Sequence, residues 1–421
     1  MVLYNSQVEA TASVNVLSYS DANRVVREHA APLDRSARQR ETLALLEAVG
    51  RVLAVAIIAD RDQPPFSRST REGFACRSTD VAAGGPLTVI GRIRAGEGWT
   101  GPAIDLGQAI EIMTGAPIPA GADCVLMVEH AAIEGAEVRP ARQLAASENI
   151  VPAGAEARSG AILVPEGTRI RPQHISAAAA CGYQGLTVYA RPRLAILSTG
   201  DELVPVETEP PPHQIRNSNS YSIAAQVLEH GGRPVLFPVI PDELDAIEEV
   251  IEKALECELL VLSGGVSMGK YDFVEQALLK LGAEFFFTGV RIQPGRPVVF
   301  GRLPAAPAKY RYFFGLPGNP VSTMVTFSLF AAPILSALSG ETSFSSHFAE
   351  ARLSDGIGEK PGLTRFLPGR LESDATRTVV FPIPWQGSGD QAAAAQTNCF
   401  IVVPDDSGRL KEGDRVSVLF L

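Results

Sequence analysis

Between residues 193 and 340, short apolar runs alternate with segments in which apolar positions recur every three or four residues. The runs at 194–197, 235–240, 259–262, 297–300 and 311–314 are too short for helices, and 259–262 is too continuously apolar for an exposed strand. They predict strands, with 259–262 buried on both faces of a parallel sheet. The intervening spacing predicts helices over 219–230, 243–256 and from Phe273 to a stop at Gly282. In the second of these, Leu244, Ile247, Ile251, Ala254 and Leu255 share one face, and Asp242 with Asp245 resembles a capping arrangement. Strand and helix in alternation predict a doubly wound α/β domain over 191–340. Ligands of such sheets bind beyond the carboxyl ends of the strands, where three loops fall: Ser198-Thr199-Gly200-Asp201-Glu202, Ser263-Gly264-Gly265, and Gly315-Leu316-Pro317-Gly318-Asn319-Pro320-Val321-Ser322.

The flanking regions follow other periods. Residues 1–16 read as a polar tail, after which 21–30 and 41–50 have helical spacing, the second through Leu43, Leu45, Leu46 and Val49. With 150–190, which holds a helix at 174–181, the segment 17–50 forms a discontinuous helical and β lead-in domain. Between them, 51–149 contains short apolar stretches at 87–90, 109–113 and 124–128 separated by glycine and proline, the pattern of a small β-rich domain. Its turn-rich segment 62–75 reads as an ordered functional loop, and glycines and prolines shape another at 113–123. After Gly340 apolar and polar residues alternate between turns, predicting a C-terminal β-barrel over 341–421, with a sandwich as the alternative. The expected fold class is therefore α/β and β multidomain.

Length and composition narrow the function classes. A chain of 421 residues with 46% hydrophobic residues has material for two to four packed domains and is not disordered. No uninterrupted apolar run reaches bilayer length, and the start lacks the charged-then-apolar order of a signal peptide, so no membrane association and a cytoplasmic location are expected. The five cysteines include no Cys-x-x-Cys pair and the six histidines have no metal-ligand spacing. A net charge of −10 argues against nucleic acid as a partner. An anionic small ligand would need local positive charge, and Arg191, Arg193, Arg216, Lys270, Arg291, Arg296, Arg302 and Arg311 lie in or beside the α/β segment.

The loop after 259–262 carries the most chemistry. Gly264 and Gly265 let the backbone turn sharply and bring its N–H groups to a ligand, Ser263 and Ser267 add hydroxyls, and Lys270 adds a cation. This combination suits phosphate. Asp272, at the start of the next helix, is either its N-cap or a metal-facing carboxylate.

Four motifs together resemble the molybdopterin molybdenumtransferase family, the molybdenum insertases related to the C-terminal domain of gephyrin. They are Thr114-Gly115-Ala116-Pro117, Leu197-Ser198-Thr199-Gly200-Asp201-Glu202-Leu203, Ser263-Gly264-Gly265-Val266-Ser267 and the Gly315 to Ser322 loop. The resemblance covers roughly residues 20–421. It implies a homodimer with its cleft between the α/β domain of one subunit and the 50–150 region of the other. It also implies that adenylylated molybdopterin, Mg²⁺ and molybdate yield molybdenum cofactor and AMP, alongside other proteins of cofactor synthesis. On this resemblance the substrate lies against Thr199, Gly200, Asp201, Ser263, Gly264, Gly265, Val266, Ser267, Lys270, Pro294, Gly295, Asn319 and Pro320. Glu72, Glu156, Glu202, Asp242 and Asp272 are the candidate catalytic carboxylates, of which Glu202, Asp242 and Asp272 are candidates for Mg²⁺. Molybdate would sit among Arg296, Pro297, Ser322 and Ser388, with Arg365 as a substitute for an arginine the family places near Leu363.

The chain also departs from the family pattern. Where the family commonly has Asp-Asn-Ser-Ala-Met-Asp-Gly, it has Ser67-Arg68-Ser69-Thr70-Arg71-Glu72-Gly73, which adds two positive charges and lengthens the acid. Gly154-Ala155-Glu156 replaces Gly-Glu-Asp, and Gln293-Pro294-Gly295-Arg296-Pro297 replaces Lys-Pro-Gly-Lys-Pro. Two other readings remain open on sequence: a catalytically divergent paralogue acting as a molybdopterin-binding or scaffold protein, and a pterin-phosphate or nucleotide hydrolase built on 193–340 alone.

Overall fold

The structure is a computed structural model, and it describes residues 15–31, 33, 38–265, 273–306, 310–342, 344 and 348–420. At its centre is a sheet of β1 (Arg193–Ser198), β2 (Arg233–Leu236), β3 (Leu259–Ser263), β4 (Glu284–Phe287), β5 (Val299–Pro304) and β6 (Tyr310–Leu316). Their order is β2-β1-β3-β6-β5-β4. The first four in that order are parallel, and β5 and β4 are added antiparallel. Alternate side chains go to opposite faces. Leu194, Ile196, Leu259 and Val261 join one core with α1 (Asn219–Glu229) and the helix beginning at α4 (Pro320–Thr326). Ala195, Leu197, Leu260 and Leu262 join another with α2 (Leu244–Ala254) and α3 (Phe273–Lys280). Burying each such leucine contributes roughly 2 kcal/mol, which is why the run at 259–262 has no polar position.

The chain leaves β1 for β2 on one side and reaches β3 on the other, so the sheet switches direction between β1 and β3, and a crevice opens at their carboxyl ends. Helix Pro320–Leu338 is continuous over 19 residues and apolar enough by length and composition to cross a bilayer, although serines and threonines interrupt its apolar run. It is a core helix, 78% buried in the domain. Its turn at Phe327–Ala331 is π-helical just before Pro333, whose missing N–H cannot continue the α-helical ladder.

The amino-terminal residues divide between layers. Val16–Leu17 pairs with Gly289–Val290, and helix Tyr19–Ala30, capped by the Ser18 hydroxyl, buries Ala22 and Val26 in the α/β core. The helix expected at 41–50 is instead a strand, Arg40–Ala44, followed by turns. Its partner Gly185–Tyr189 supplies the reason, because Gly185 admits the Leu43 carbonyl where a β-carbon would lie 2.7 Å from it. Leu46 is left 81% exposed, so the apparent apolar face is not one. Leu53 and Ile57, which the sequence groups with the following β-rich region, pack here with Ala48, Val164, Ile170 and Val188.

Strands Cys124–Met127, Gly73–Cys76, Gln108–Ile112, Leu87–Ile93, Glu137–Pro140 and Ala131–Glu134 form, in that order, the six-stranded sheet of the β-rich region. At the carboxyl end, Thr364–Ser373, Thr378–Pro382, Phe348–Leu353, Arg415–Phe420 and Cys399–Val403 close into a five-stranded barrel, Gly369 pairing back to Cys399. Ile292–Gln293 adds to its edge and ties it to the α/β domain.

Candidate functional site

A cleft of about 1010 Å³ opens at the carboxyl ends of β1, β3 and β6. Thr199, Glu202, Ser263, Gly264, Pro297, Asn319 and Pro320 line it, so the structure brings the three sequence-predicted loops together. The Thr199 N–H donates to the Ser263 carbonyl at 3.2 Å, fixing the first loop to the second. Gly264 and Gly265 have φ of +90° and +62°, the left-handed region that glycine enters without strain. A β-carbon on Gly264 would lie 2.5 Å from the Thr199 carbonyl, so glycine is required by its neighbouring backbone as well as by its φ. Val266, Ser267, Lys270 and Asp272 lie outside the described residues.

Asp201, Glu202 and Asp242 form an acidic group, of which Glu202 lines the cleft while Asp201 and Asp242 do not. The Asp242 N–H donates to Asp201 Oδ1 at 3.4 Å, and the backbone of Thr199 bridges that of Ile240. Burial, followed by the charges of Asp201 and Glu202, pushes the Asp242 carboxyl above its ordinary range, and the Thr199 hydroxyl opposes this. The capping expectation for Asp242 is not met: α2 has Glu243 at its N-cap with no side-chain cap bond, and Asp242 lies one residue outside. Gly200 has φ +142° with the Glu202 carboxylate folded against it. Among the described residues, no three His, Cys, Asp or Glu groups are arranged to hold a metal ion.

The other predicted residues divide. Pro294 and Gly295 are buried, Arg296 is exposed, and Pro297 reaches the cleft. Asn319 Nδ2 donates to Ser388 Oγ at 2.9 Å, and the Val321 N–H donates to the Ser388 carbonyl at 3.0 Å, so the 386–391 turn folds over the cleft rim. Ser322 is buried and does not line the cleft. Arg365 is buried beside Gln293 in the strand register, and its Nη2 donates to the Gly358 carbonyl at 2.6 Å while Nε has no partner. Burial lowers its pKa.

Glu72 and Glu156 lie elsewhere. No residue of 51–190 is among the described residues lining the cleft. Strand Arg68–Ser69 pairs with Ile150–Val151, and Arg68 Nη2 meets Glu156 Oε1 at 2.8 Å, which brings the two departing loops together. Glu72 is exposed beside them in sequence, its carbonyl accepting from the Val128 N–H.

Arg216, named from sequence only as one of eight nearby cations, lines a wall whose other members, Gln214, Asn217, Ser218, Asn219 and Gln391, sequence reasoning missed. Asn217 Oδ1 accepts from the Ser220 N–H at 3.2 Å, and Ser220 Oγ meets Ser198 Oγ at 2.8 Å, which locks the start of α1 to β1. Gln391 Nε2 donates to Ser218 Oγ at 2.6 Å across the rim. A dense run of small polar residues, Asn217-Ser218-Asn219-Ser220, opening a helix of an α/β domain was the available signal.

Comparison with known proteins places the chain in a family. Residues 17–182 match the MoeA N-terminal region (domain I and II), 195–337 a probable molybdopterin binding domain, and 350–421 the MoeA C-terminal region (domain IV). A molybdopterin molybdenumtransferase of Bacillus subtilis is 34% identical over 91% of this chain and 90% of its own length. One from Nostoc is also 34% identical, over 92% and 90%. The crystal structure of the molybdopterin biosynthesis moeA protein from Pyrococcus horikoshii superposes with a TM-score of 0.78 at 29% identity, covering 96% of this chain and 100% of that one. The chain thus belongs to the molybdopterin molybdenumtransferase family, and with it to the transferases of molybdenum cofactor biosynthesis.

Proposed function

We propose that this protein inserts molybdenum from molybdate into adenylylated molybdopterin with Mg²⁺-dependent release of AMP. The observation that carries the reading is the convergence of the Thr199, Ser263-Gly264 and Asn319 loops on one cleft large enough for a nucleotide-sized ligand. Gly264 and Gly265 turn the backbone where its N–H groups can face phosphate oxygens, and the Ser263 hydroxyl lines the same surface. The names of the relatives favour the enzymatic reading over the scaffold reading.

The acidic group fits Mg²⁺. Asp242 is raised by burial first and then by two neighbouring carboxylates, whose repulsion a divalent cation relieves, and Mg²⁺ is commonly held by one or two carboxylates together with substrate phosphates. Asp242 and Glu202 would hold it, with Asp272 as a further candidate. When bound, the ion would offset charge on the phosphates. Molybdate would lie at the rim formed by Pro297, Asn319 and Ser388, within the reach of Arg296, and the buried Ser322 would support α4 beneath it. Arg365 would have to leave the Gly358 carbonyl to take part.

A homodimer completes the reading. Glu72 and Glu156, absent from the cleft of their own chain, would reach the cleft of a second copy. A cytoplasmic setting and hand-over to other proteins of cofactor synthesis complete the proposal. Purified protein incubated with adenylylated molybdopterin, Mg²⁺ and molybdate should release AMP and reconstitute an apo molybdoenzyme. Absence of both products in folded protein refutes the reading.

A further inference from the structure

Among the described residues lining the cleft, Arg216 is the one cationic side chain. It follows Ile215 in a two-residue strand that pairs with Leu203–Val204, so its backbone is tied directly behind the Glu202 loop. Its Nε donates to the Thr208 carbonyl at 3.1 Å, which anchors the guanidinium and leaves both Nη groups to point elsewhere. Arg365 and Arg68 lie outside the cleft lining and are engaged, Arg365 with the Gly358 carbonyl and Arg68 with Glu156. Arg216 is exposed and has no ion pair among the described residues. In a chain of net charge −10, an anchored arginine lining a cleft, with no ion-pair partner among the described residues, is a local positive charge available to an anionic ligand.

We propose that Arg216 is a substrate-binding residue that clamps a phosphate oxygen pair of the ligand in the cleft it shares with the Ser263-Gly264 loop. The two Nη groups, without a partner among the described residues, present the fork geometry that matches a phosphate, whereas a lysine at this place would offer only a point charge. Gln214 supports the same wall, its Nε2 donating to the Asp201 carbonyl at 2.8 Å, so the Arg216 strand and the acidic loop are held as one unit. The cation and the Glu202 carboxylate thus stand side by side on one wall, where the guanidinium would take phosphate oxygens directly. This inference rests on the phosphate-ester substrate proposed above.

The test is calorimetry of AMP and adenosine binding to parent, Arg216→Ala and Arg216→Lys proteins, with inorganic pyrophosphate as a competitor and thermal melting as the folding control. Arg216→Ala should weaken AMP about tenfold to hundredfold, as loss of a charged hydrogen-bond pair does, and leave adenosine unchanged. Arg216→Lys should fall between, and the AMP affinity of the parent should drop with salt more steeply than that of Arg216→Ala. If Arg216→Ala does not fold, Arg216→Lys and the parent's salt dependence carry the test. Equal losses for AMP and adenosine would mean that Arg216 only props the Thr208 loop, and this overturns the proposal. So does an unchanged AMP affinity, or a parent that binds no AMP. The outcomes separate from those of the molybdenum assay. Transfer with Arg216-independent AMP binding sinks only this inference, and Arg216-dependent AMP binding without transfer sinks only the insertase reading.

Discussion

The Asn219 amide is bonded to Ser263: Nδ2 donates to Ser263 Oγ at 3.0 Å and, in the same reach, to the Gly318 carbonyl at 2.7 Å. Because Gly318 offers only an acceptor there, the amide orientation is fixed. One side chain at the start of α1 therefore holds the loops after β3 and β6 at a set separation. Asn219→Ala should cost about 1–2 kcal/mol by denaturant unfolding and weaken AMP binding as the loops drift apart. Unfolding and binding both within error of the parent would show that the loops hold their separation without it.

Gly264 has no room for a side chain. At φ +90°, with a β-carbon placed 2.5 Å from the Thr199 carbonyl, Gly264→Ala must move backbone, not a flexible side chain. The expected cost is about 2 kcal/mol or more, with loss of AMP binding as β1 and β3 separate at their ends. A crystal structure of the variant with an unmoved Thr199 and full affinity would contradict this.

Asp242 gives a pH-dependent prediction whose sign is opposite to that of a salt-bridged acid. Its folded pKa is raised above the unfolded value, so the native state binds the proton more tightly and stability declines as pH rises through that window. Asp242→Asn should flatten this decline and stabilise the metal-free protein above it, by about 0.5 kcal/mol or less because solvent screens an exposed carboxylate. The same change should abolish stabilisation by added Mg²⁺ and slow AMP release. Melting curves between pH 4 and pH 8, with and without Mg²⁺, check all three.

Arg68 and Glu156 form a half-exposed pair, with side chains 35% and 52% exposed, so Arg68→Ala should change stability by less than about 1 kcal/mol. A larger fall in molybdenum transfer would mark this loop as functional. Glu72→Gln should also lower transfer strongly while leaving the melting temperature unchanged.

If those loops serve a second copy's cleft, mixing Glu72→Gln and Asp242→Asn proteins should recover activity. Random exchange makes half the dimers mixed, each with one cleft free of both changes, so about a quarter of parent turnover is expected. No recovery in verified heterodimers would rule out a shared cleft.

The sequence by itself determined the doubly wound core, because a strand buried on both faces must be apolar at every position, as 259–262 is, and helices packed on it must repeat every three or four residues. It also marked the Thr199, Gly264 and Asn319 loops, since glycines and small polar residues stand where the strands end. It misread 41–50, where four apolar residues fit a helical spacing but backbone pairing with Gly185–Tyr189 makes the first half a strand. Local pattern cannot see a partner more than a hundred residues away. Resemblance grouped Asp242 with Glu202 and brought Ser388 to the site, but residue pattern alone could not see that Asp201 joins that group, that Asp242 does not cap α2, or that Gln391 reaches back to Ser218. Those neighbours are set by how domains pack, and only the tertiary structure decides which polar groups, distant in sequence, share one cleft.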